Sequence, residues 1–118
     1  MSYSRGDVVI MNAPFVIRPG AKLRPMLVVQ CDRNNNRMSN TIVATITTNL
    51  AHAHEPTRVV IDISTPDGKL SGLLATSVVS CENLLTASQA QIVKKIGSLP
   101  TPLMQAVDVA LKISLDLT

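Results

Sequence analysis

Short runs of β-branched and aliphatic residues recur along the chain with turn-forming residues between them. GDVVIM begins at position 6, PMLVVQC at 25, TIVATIT at 41, TRVVIDI at 57, LLATSVVSC at 73 and QIVKKIGSL at 91. Strands of this length and spacing predict an all-β sandwich or small barrel. RVVID permits alternation about Val60, whereas MLVV is apolar throughout, as in a strand covered on both faces; a buried dimer face is one way to cover the second. In the run from 91, Ile92, Val93 and Ile96 are expected to turn inward or sideways and Lys94 and Lys95 to stay in water. DRNNNRMSN and TPDGKLSG read as turn connectors, rich in residues that accept turn and left-handed conformations.

From Thr101 the period changes. TPLMQAVDVALKISLDL offers Thr101 as a cap, a proline at the first helical position, and apolar Leu103, Met104, Val107, Ala110, Leu111 and Leu115 at helical spacing. Asp108 and Lys112 stand at i,i+4 as a favourable pair. One amphipathic helix is thus predicted to close a single domain spanning 1–118, with no repeat or linker to divide it. The long irregular segment is NAPFVIRPGAKL, 12–23, and loops of that kind on a compact β domain are more often functional than ornamental.

The 118 residues suffice for one core. No apolar run approaches the roughly 18 residues of a membrane span, and MSYSRGD lacks the apolar stretch of a signal peptide, so a soluble chain in a reducing cytoplasm is expected. Cys31 and Cys81 are then two buried free thiols. Eleven Lys and Arg against eight Asp and Glu give a net charge of +3. Between 18 and 37, Arg18, Lys22, Arg24, Arg33 and Arg37 face the single acid Asp32, a local positive field that suits an anionic partner. Tyr3 and Phe15 are the only aromatics, which excludes a base-stacking platform.

The chemistry narrows by elimination. HAHE offers His52, His54 and Glu55 but no third or fourth ligand, so no metal site is assigned and an exposed loop is expected after Asn49. Two histidines two residues apart would crowd together, whereas acid and base for in-line displacement approach opposite ends of a phosphate. There is no G-x-S-x-G, no activated cysteine setting and no phosphate-binding glycine loop. Arg24, Pro25 and a threonine-rich strand end at Thr45, Thr47 and Thr48 remain. Proline holds its predecessor extended and cannot donate to a ladder, so Pro25 is expected to start a strand and leave Arg24 at its rim. A guanidinium there suits a phosphate gaining charge, though a solvated arginine and a threonine chosen for β propensity account for the same residues.

RGDVV at 5–9, LRPMLVVQCD at 23–32, NRMSNTIVATIT at 36–47, PTRVVID at 56–62, SVVSCENLLT at 77–86, and KKIGSL followed by the C-terminal helix together resemble the MazF/PemK (Kid) family of toxin endoribonucleases. The resemblance runs from about Arg5 to Leu117. It implies a mainly β (α+β) fold, an SH3-like small β-barrel of the CcdB/PemK kind with a C-terminal α-helix, assembled as a homodimer. It further implies cofactor-free, metal-independent cleavage of single-stranded RNA, leaving 2′,3′-cyclic phosphate and 5′-hydroxyl ends, and a cognate antitoxin that lays an acidic segment across the RNA groove. Carried over by position, Arg24 and Thr47 are the catalytic pair, and Arg18, Lys22, Thr48, Ser77 and Glu82 contact substrate. The chain departs from its relatives at VIRPGAKL, where an acidic residue and a glycine pair are common, and at Leu85, where a basic residue is common. A degenerate module that binds antitoxin or RNA without cutting is the alternative. The gyrase-poisoning relatives act through C-terminal residues that include a tryptophan, which this chain lacks.

Overall fold

The structure, a computed structural model, describes residues 2–12 and 23–118. Its strands are β1 (Asp7–Asn12), β2 (Leu23–Val28), β3 (Asn40–Thr47), β4 (Arg58–Ile61), β5 (Ser77–Ser88) and β6 (Ile92–Ser98); its helices are α1 (Asp32–Arg37), α2 (Pro66–Lys69) and α3 (Thr101–Ser114). The strands form one antiparallel sheet in the order β4-β5-β3-β2-β1-β6. Only a short 3₁₀ turn, Gln89–Gln91, joins β5 to β6, yet three strands lie between them in the sheet. The sheet must therefore roll up, as the predicted small barrel requires.

Alternation along the strands builds two cores. Val8, Leu27, Ala44, Ile46, Ile61, Val79 and Cys81 meet α3 through Val107 and Ala110, while Val9, Met11, Met26, Val28, Val43, Ala87 and Ile92 pack on the opposite face. MLVV is thus covered on both sides within one chain, by α3 on one face and the rolled sheet on the other. No dimer face is needed to bury it.

β5 is the element that departs most from expectation. It begins at Ser77 rather than 73 and continues to Ser88. Ala44 of β3 pairs with Leu84, but Thr45 pairs with Ser80, so Cys81, Glu82 and Asn83 form a bulge outside that ladder. An odd number of extra residues exchanges the faces of a strand. Val79 before the bulge and Cys81 at its first position accordingly lie on the α3 side, whereas Leu84 takes that side after it and Leu85 and Ala87 the other.

Several local expectations are corrected. DRNNNR is helix α1 because Asn35, 1% exposed, is held from three directions. Its amide donates to the Gln30 carbonyl (3.0 Å) and its Oδ1 accepts from Gln30 Nε2 (2.9 Å) and Thr41 Oγ1 (2.7 Å). The Gln89 amide also donates to the Asn35 carbonyl at 2.9 Å. Tertiary bonds here override the turn preference of an Asn-rich run. PDGK is the one-turn helix α2, capped by the Thr65 hydroxyl. Pro100, not Thr101, occupies the cap position of α3. Asp108 binds Arg5 at 2.7 Å in place of the expected Lys112 pair. Cys31 is exposed; only Cys81 is buried. Val93 and Leu115 face solvent. No helix of the described residues is long and apolar enough to cross a membrane.

Gly72 has a requirement that no other residue meets: its φ is +74°, and a Cβ there would collide with the Ile96 carbonyl oxygen. The segment after α2 thereby lies directly against β6.

Asn35→Ala is expected to cost about 2–3 kcal/mol, because it leaves the Gln30 and Thr41 side chains without their buried partner. A lowered urea midpoint with unchanged slope checks this.

Candidate active site

The site originates in the chemistry of one imino acid. Val29 donates its N–H to Ile42 on β3, at 2.9 Å. Donors alternate along a strand, so the nitrogens of Leu27 and Pro25 also face β3. Pro25 has no proton to give, and the β2–β3 pairing ends at Met26 opposite Thr45. β2 itself starts two residues before Pro25 and stays paired to β1 through Arg24 opposite Met11 and Pro25 opposite Ile10. Arg24 is therefore inside a strand rather than ahead of one.

Extending the β2–β3 register beyond its last pair sets Arg24 opposite Thr47. Between them, where the ladder has stopped, lies a cavity of about 730 Å³. Arg24, Thr47, Thr48, Ser77 and Glu82 all line it, together with Asn83, Leu84 and Leu85 from β5. Five of the seven residues carried over by resemblance are thus brought to one groove. Arg18 and Lys22 lie outside the described residues.

The individual groups differ in readiness. Arg24 is exposed, and among the described residues its guanidinium makes no ion pair. The Thr47 hydroxyl accepts the Asn49 N–H at 3.1 Å, which fixes the oxygen and leaves its own proton to donate. Thr48 follows the strand end and is exposed. Ser77 is 2% exposed and its hydroxyl donates to the Ala75 carbonyl at 2.8 Å, so it supports the groove wall.

Glu82 projects from the bulge but is held from behind. Its carboxylate accepts from Thr57 Oγ1 at 2.8 Å and from the Arg58 guanidinium at 3.0 Å. Burial raises its pKa, but the bonds from Thr57 and Arg58 outweigh this and hold the carboxyl below its ordinary value. The pair neutralises what would otherwise be an unpaired negative charge in the groove. Beside it, burial foremost and then the Glu82 charge push the Cys81 thiol up to about 11, far from a reactive thiolate. His52 and His54 stand on exposed turns between β3 and β4, and no group of three potential metal ligands occurs among the described residues.

Sequence reasoning misses Thr57, Arg58 and Asn83. Opposite charges on neighbouring strands are a visible signal, but only once β4 and β5 are known to pair; the bulge leaves no local mark.

A comparison with protein families matches residues 4–115 to the family described as PemK-like, MazF-like toxin of type II toxin-antitoxin system. The chain belongs to this PemK/MazF toxin family. Endoribonuclease EndoA of Bacillus subtilis is 36% identical over 118 residues, covering 99% of this chain and 97% of the relative. Endoribonuclease MazF6 of Mycobacterium tuberculosis is 36% identical over 98 residues, covering 82% of each. Among solved structures, the Mycobacterium tuberculosis toxin MazF-mt6 superposes with a TM-score of 0.75 at 27% identity, covering 95% of this chain and 98% of that one. A mycobacterial endoribonuclease in complex with its cognate antitoxin gives a TM-score of 0.79 at 20% identity, covering 99% and 98%, a likeness of fold. As a member of the PemK/MazF family, the chain is an endoribonuclease toxin.

A depressed folded-state pKa contributes stability above the unfolded value and loses it as the pH falls through the folded one. Glu82→Gln is therefore expected to destabilise the PemK/MazF chain at pH 7 by no more than about 1 kcal/mol, as for a pair that solvent still reaches and screens. The difference from wild type should shrink below about pH 4.3. Urea titrations at both ends of that range check the sign.

Proposed function

We propose that the groove between Arg24 and Thr47 cleaves single-stranded RNA without a metal ion, as the toxin of a toxin-antitoxin pair in the cytoplasm. The observation that carries this reading is the juxtaposition itself: Arg24, whose guanidinium makes no ion pair among the described residues, and Thr47, whose hydroxyl oxygen is held by the Asn49 N–H, line one groove where the ladder has ended.

The RNA supplies its own nucleophile. A 2′-hydroxyl attacks the adjacent phosphorus, forming the new P–O2′ bond as the P–O5′ bond breaks. The products are a 2′,3′-cyclic phosphate and a 5′-hydroxyl. The 2′ proton passes to solvent in the open groove, and the departing 5′ oxygen takes up a proton. Arg24 does not act as a base, because a guanidinium keeps its proton at any ordinary pH. Its permanent charge and fork of donors instead stabilise the extra negative charge on the phosphoryl oxygens in the transition state. Thr47 donates to one of those oxygens and aligns the phosphate for in-line attack.

Thr48 extends the polar wall toward the neighbouring nucleotide, and Glu82, with Asn83, offers acceptors and donors to base edges. Arg18 and Lys22 supply further phosphate contacts. The partner that restrains the enzyme is a cognate antitoxin, whose acidic segment would compete for Arg24, and the active assembly is a homodimer. The mycobacterial neighbour bound to its antitoxin supports that partnership.

Incubating the protein with mixed-sequence RNA in EDTA should produce cyclic-phosphate ends. Arg24→Ala is expected to lower the rate about 100-fold or more and Thr47→Ala by a comparable factor, the usual cost of removing one preorganised donor. Tight RNA binding without new ends would defeat this reading, and a requirement for added metal would defeat its mechanism.

Pro25→Ala provides a separate handle on groove width. The restored N–H is expected to pair with β3, narrowing the gap while leaving the fold intact, so cleavage falls while the new residue-25 amide becomes protected from hydrogen exchange.

A further inference from the structure

Thr47 closes β3 opposite Val78 of β5, and beyond it the chain leaves the sheet until β4 begins at Arg58. A threonine at a strand end has several staggered positions open to its hydroxyl, and one of them places the oxygen on a local carbonyl instead of a ligand. A donor that must meet a phosphate at one point therefore needs a neighbour to hold it.

Asn49 meets that need with both its main chain and its side chain. Its N–H donates to Thr47 Oγ1 at 3.1 Å. Its Oδ1 accepts the Ala51 N–H at 3.0 Å, closing an Asx turn over the next residues. Such a turn restrains the dihedrals on either side of its own α-carbon, and φ is among those that aim the residue's N–H. The side-chain bond thus supports the main-chain one.

The segment that follows gives the turn a fixed base. Ala53 donates to the Leu50 carbonyl at 3.1 Å, Glu55 to that of His52 at 3.2 Å and Arg58 to that of Glu55 at 3.0 Å. At the far end the Thr57 carbonyl accepts the Cys81 N–H at 3.0 Å, and the Thr57 hydroxyl donates to Glu82. Residues 48–57 are therefore a run of turns fastened to β5 at one end and to Thr47 at the other.

Thr48, Asn49 and Leu50 are exposed, so the two Asn49 bonds bury nothing and contribute little to global stability. Their effect is local. A hydroxyl has one proton and two acceptor positions. With one acceptor position of Oγ1 filled by Asn49, the oxygen is held in place and its proton stays available to the cavity that Thr47 lines beside Arg24.

We propose that Asn49 is a positioning residue of the endoribonuclease reaction. Its side chain closes the turn onto Ala51, the turn keeps its N–H on Thr47 Oγ1, and the Thr47 hydroxyl is thereby set to donate to the phosphate. This role rests on the reading of Thr47 as a phosphate donor and adds the residue that aims it. Asn49 acts through Thr47 and touches no substrate.

The test follows cleavage of mixed-sequence RNA in EDTA by full-length protein, with kcat and KM resolved and a urea midpoint measured for every variant. Asn49→Ala is expected to lower kcat about tenfold while KM stays within about twofold, because a misaimed donor is missed chiefly in the transition state. Its urea midpoint should remain close to wild type. Asn49→Ser and Asn49→Asp retain an acceptor for the Ala51 N–H and should return kcat to within about threefold of wild type. The added charge of the aspartate variant should appear in KM alone. Thr47→Ala with Asn49→Ala should be no slower than Thr47→Ala, since two residues acting through one hydroxyl are not additive. Hydrogen exchange gives a check without turnover: the residue-49 amide should exchange faster in Thr47→Val, which keeps the branched shape but offers no acceptor.

An undiminished kcat in Asn49→Ala, with Thr47→Ala slow, would overturn this role and leave the reading of Thr47 standing. Losses that multiply in the double variant would overturn it too, by showing that Asn49 acts independently. So would a loss that follows a lowered urea midpoint and is restored by neither serine nor aspartate. Thr47→Ala cutting at the wild-type rate would instead remove the reading of Thr47, and with it the hydroxyl for Asn49 to aim.

Discussion

The absent N–H of Pro25 shapes the Arg24–Thr47 end of the molecule. A continuous β2–β3 ladder would bring the two backbones to the usual spacing of about 4.8 Å and close the gap beside Arg24 and Thr47. Instead pairing ends at Met26 opposite Thr45, while β1 on the other side keeps β2 straight and ordered up to Leu23. The groove is thus an interrupted sheet with one rigid bank on each side. That arrangement sets donors on strands rather than on mobile loops, and strands hold geometry more tightly. The proline supplies the interruption without strain, because its fixed φ suits an extended chain.

Electrostatics then sorts the cations into structural and available ones. Arg5 ties the N-terminal segment to α3, Lys95 bonds Asp7 at 3.2 Å, and Arg58 secures Glu82 against the groove wall. These pairs hold elements together and contribute little external field. Arg24, Arg33 and Arg37 contribute most of it among the described arginines, from opposite ends of β3. The modest net charge of +3 thus understates the attraction that an extended polyanion experiences.

Much of this is legible in the sequence, and the limits have physical causes. The six strands and the closing helix follow from period and turn residues because burial on one or two faces leaves that pattern directly in the chain. The strand start near Arg24 follows from proline chemistry, though two residues late, because β1 supports β2 beyond the proline. Local spacing pairs Asp108 with Lys112, but Arg5, distant in sequence, takes it. The Asn-rich run reads as turn because nothing local reveals that Gln30, Thr41 and Gln89 converge on Asn35. In the groove, resemblance identifies residues that composition alone would assign to solvent or to strand propensity. Glu82 illustrates the remainder: its anchoring by Thr57 and Arg58 depends on β4–β5 pairing and on a bulge, both long-range.

The bulge in β5 also bears on how such a protein can diversify. Cys81 lies in the core beneath α3, while Glu82 and Asn83 face the groove, and the change of face occurs within these three residues. Point substitutions at Asn83, or at Glu82 where the Thr57 and Arg58 bonds are kept, alter the groove lining without moving the core residues on either side. A single insertion or deletion between Ser80 and Leu84 would instead turn Leu84, Leu85 and Ala87 to the wrong sides of the sheet. Inheritance at this place is therefore constrained in length but permissive in letter, so the groove lining can vary among lineages while the barrel itself stays the same.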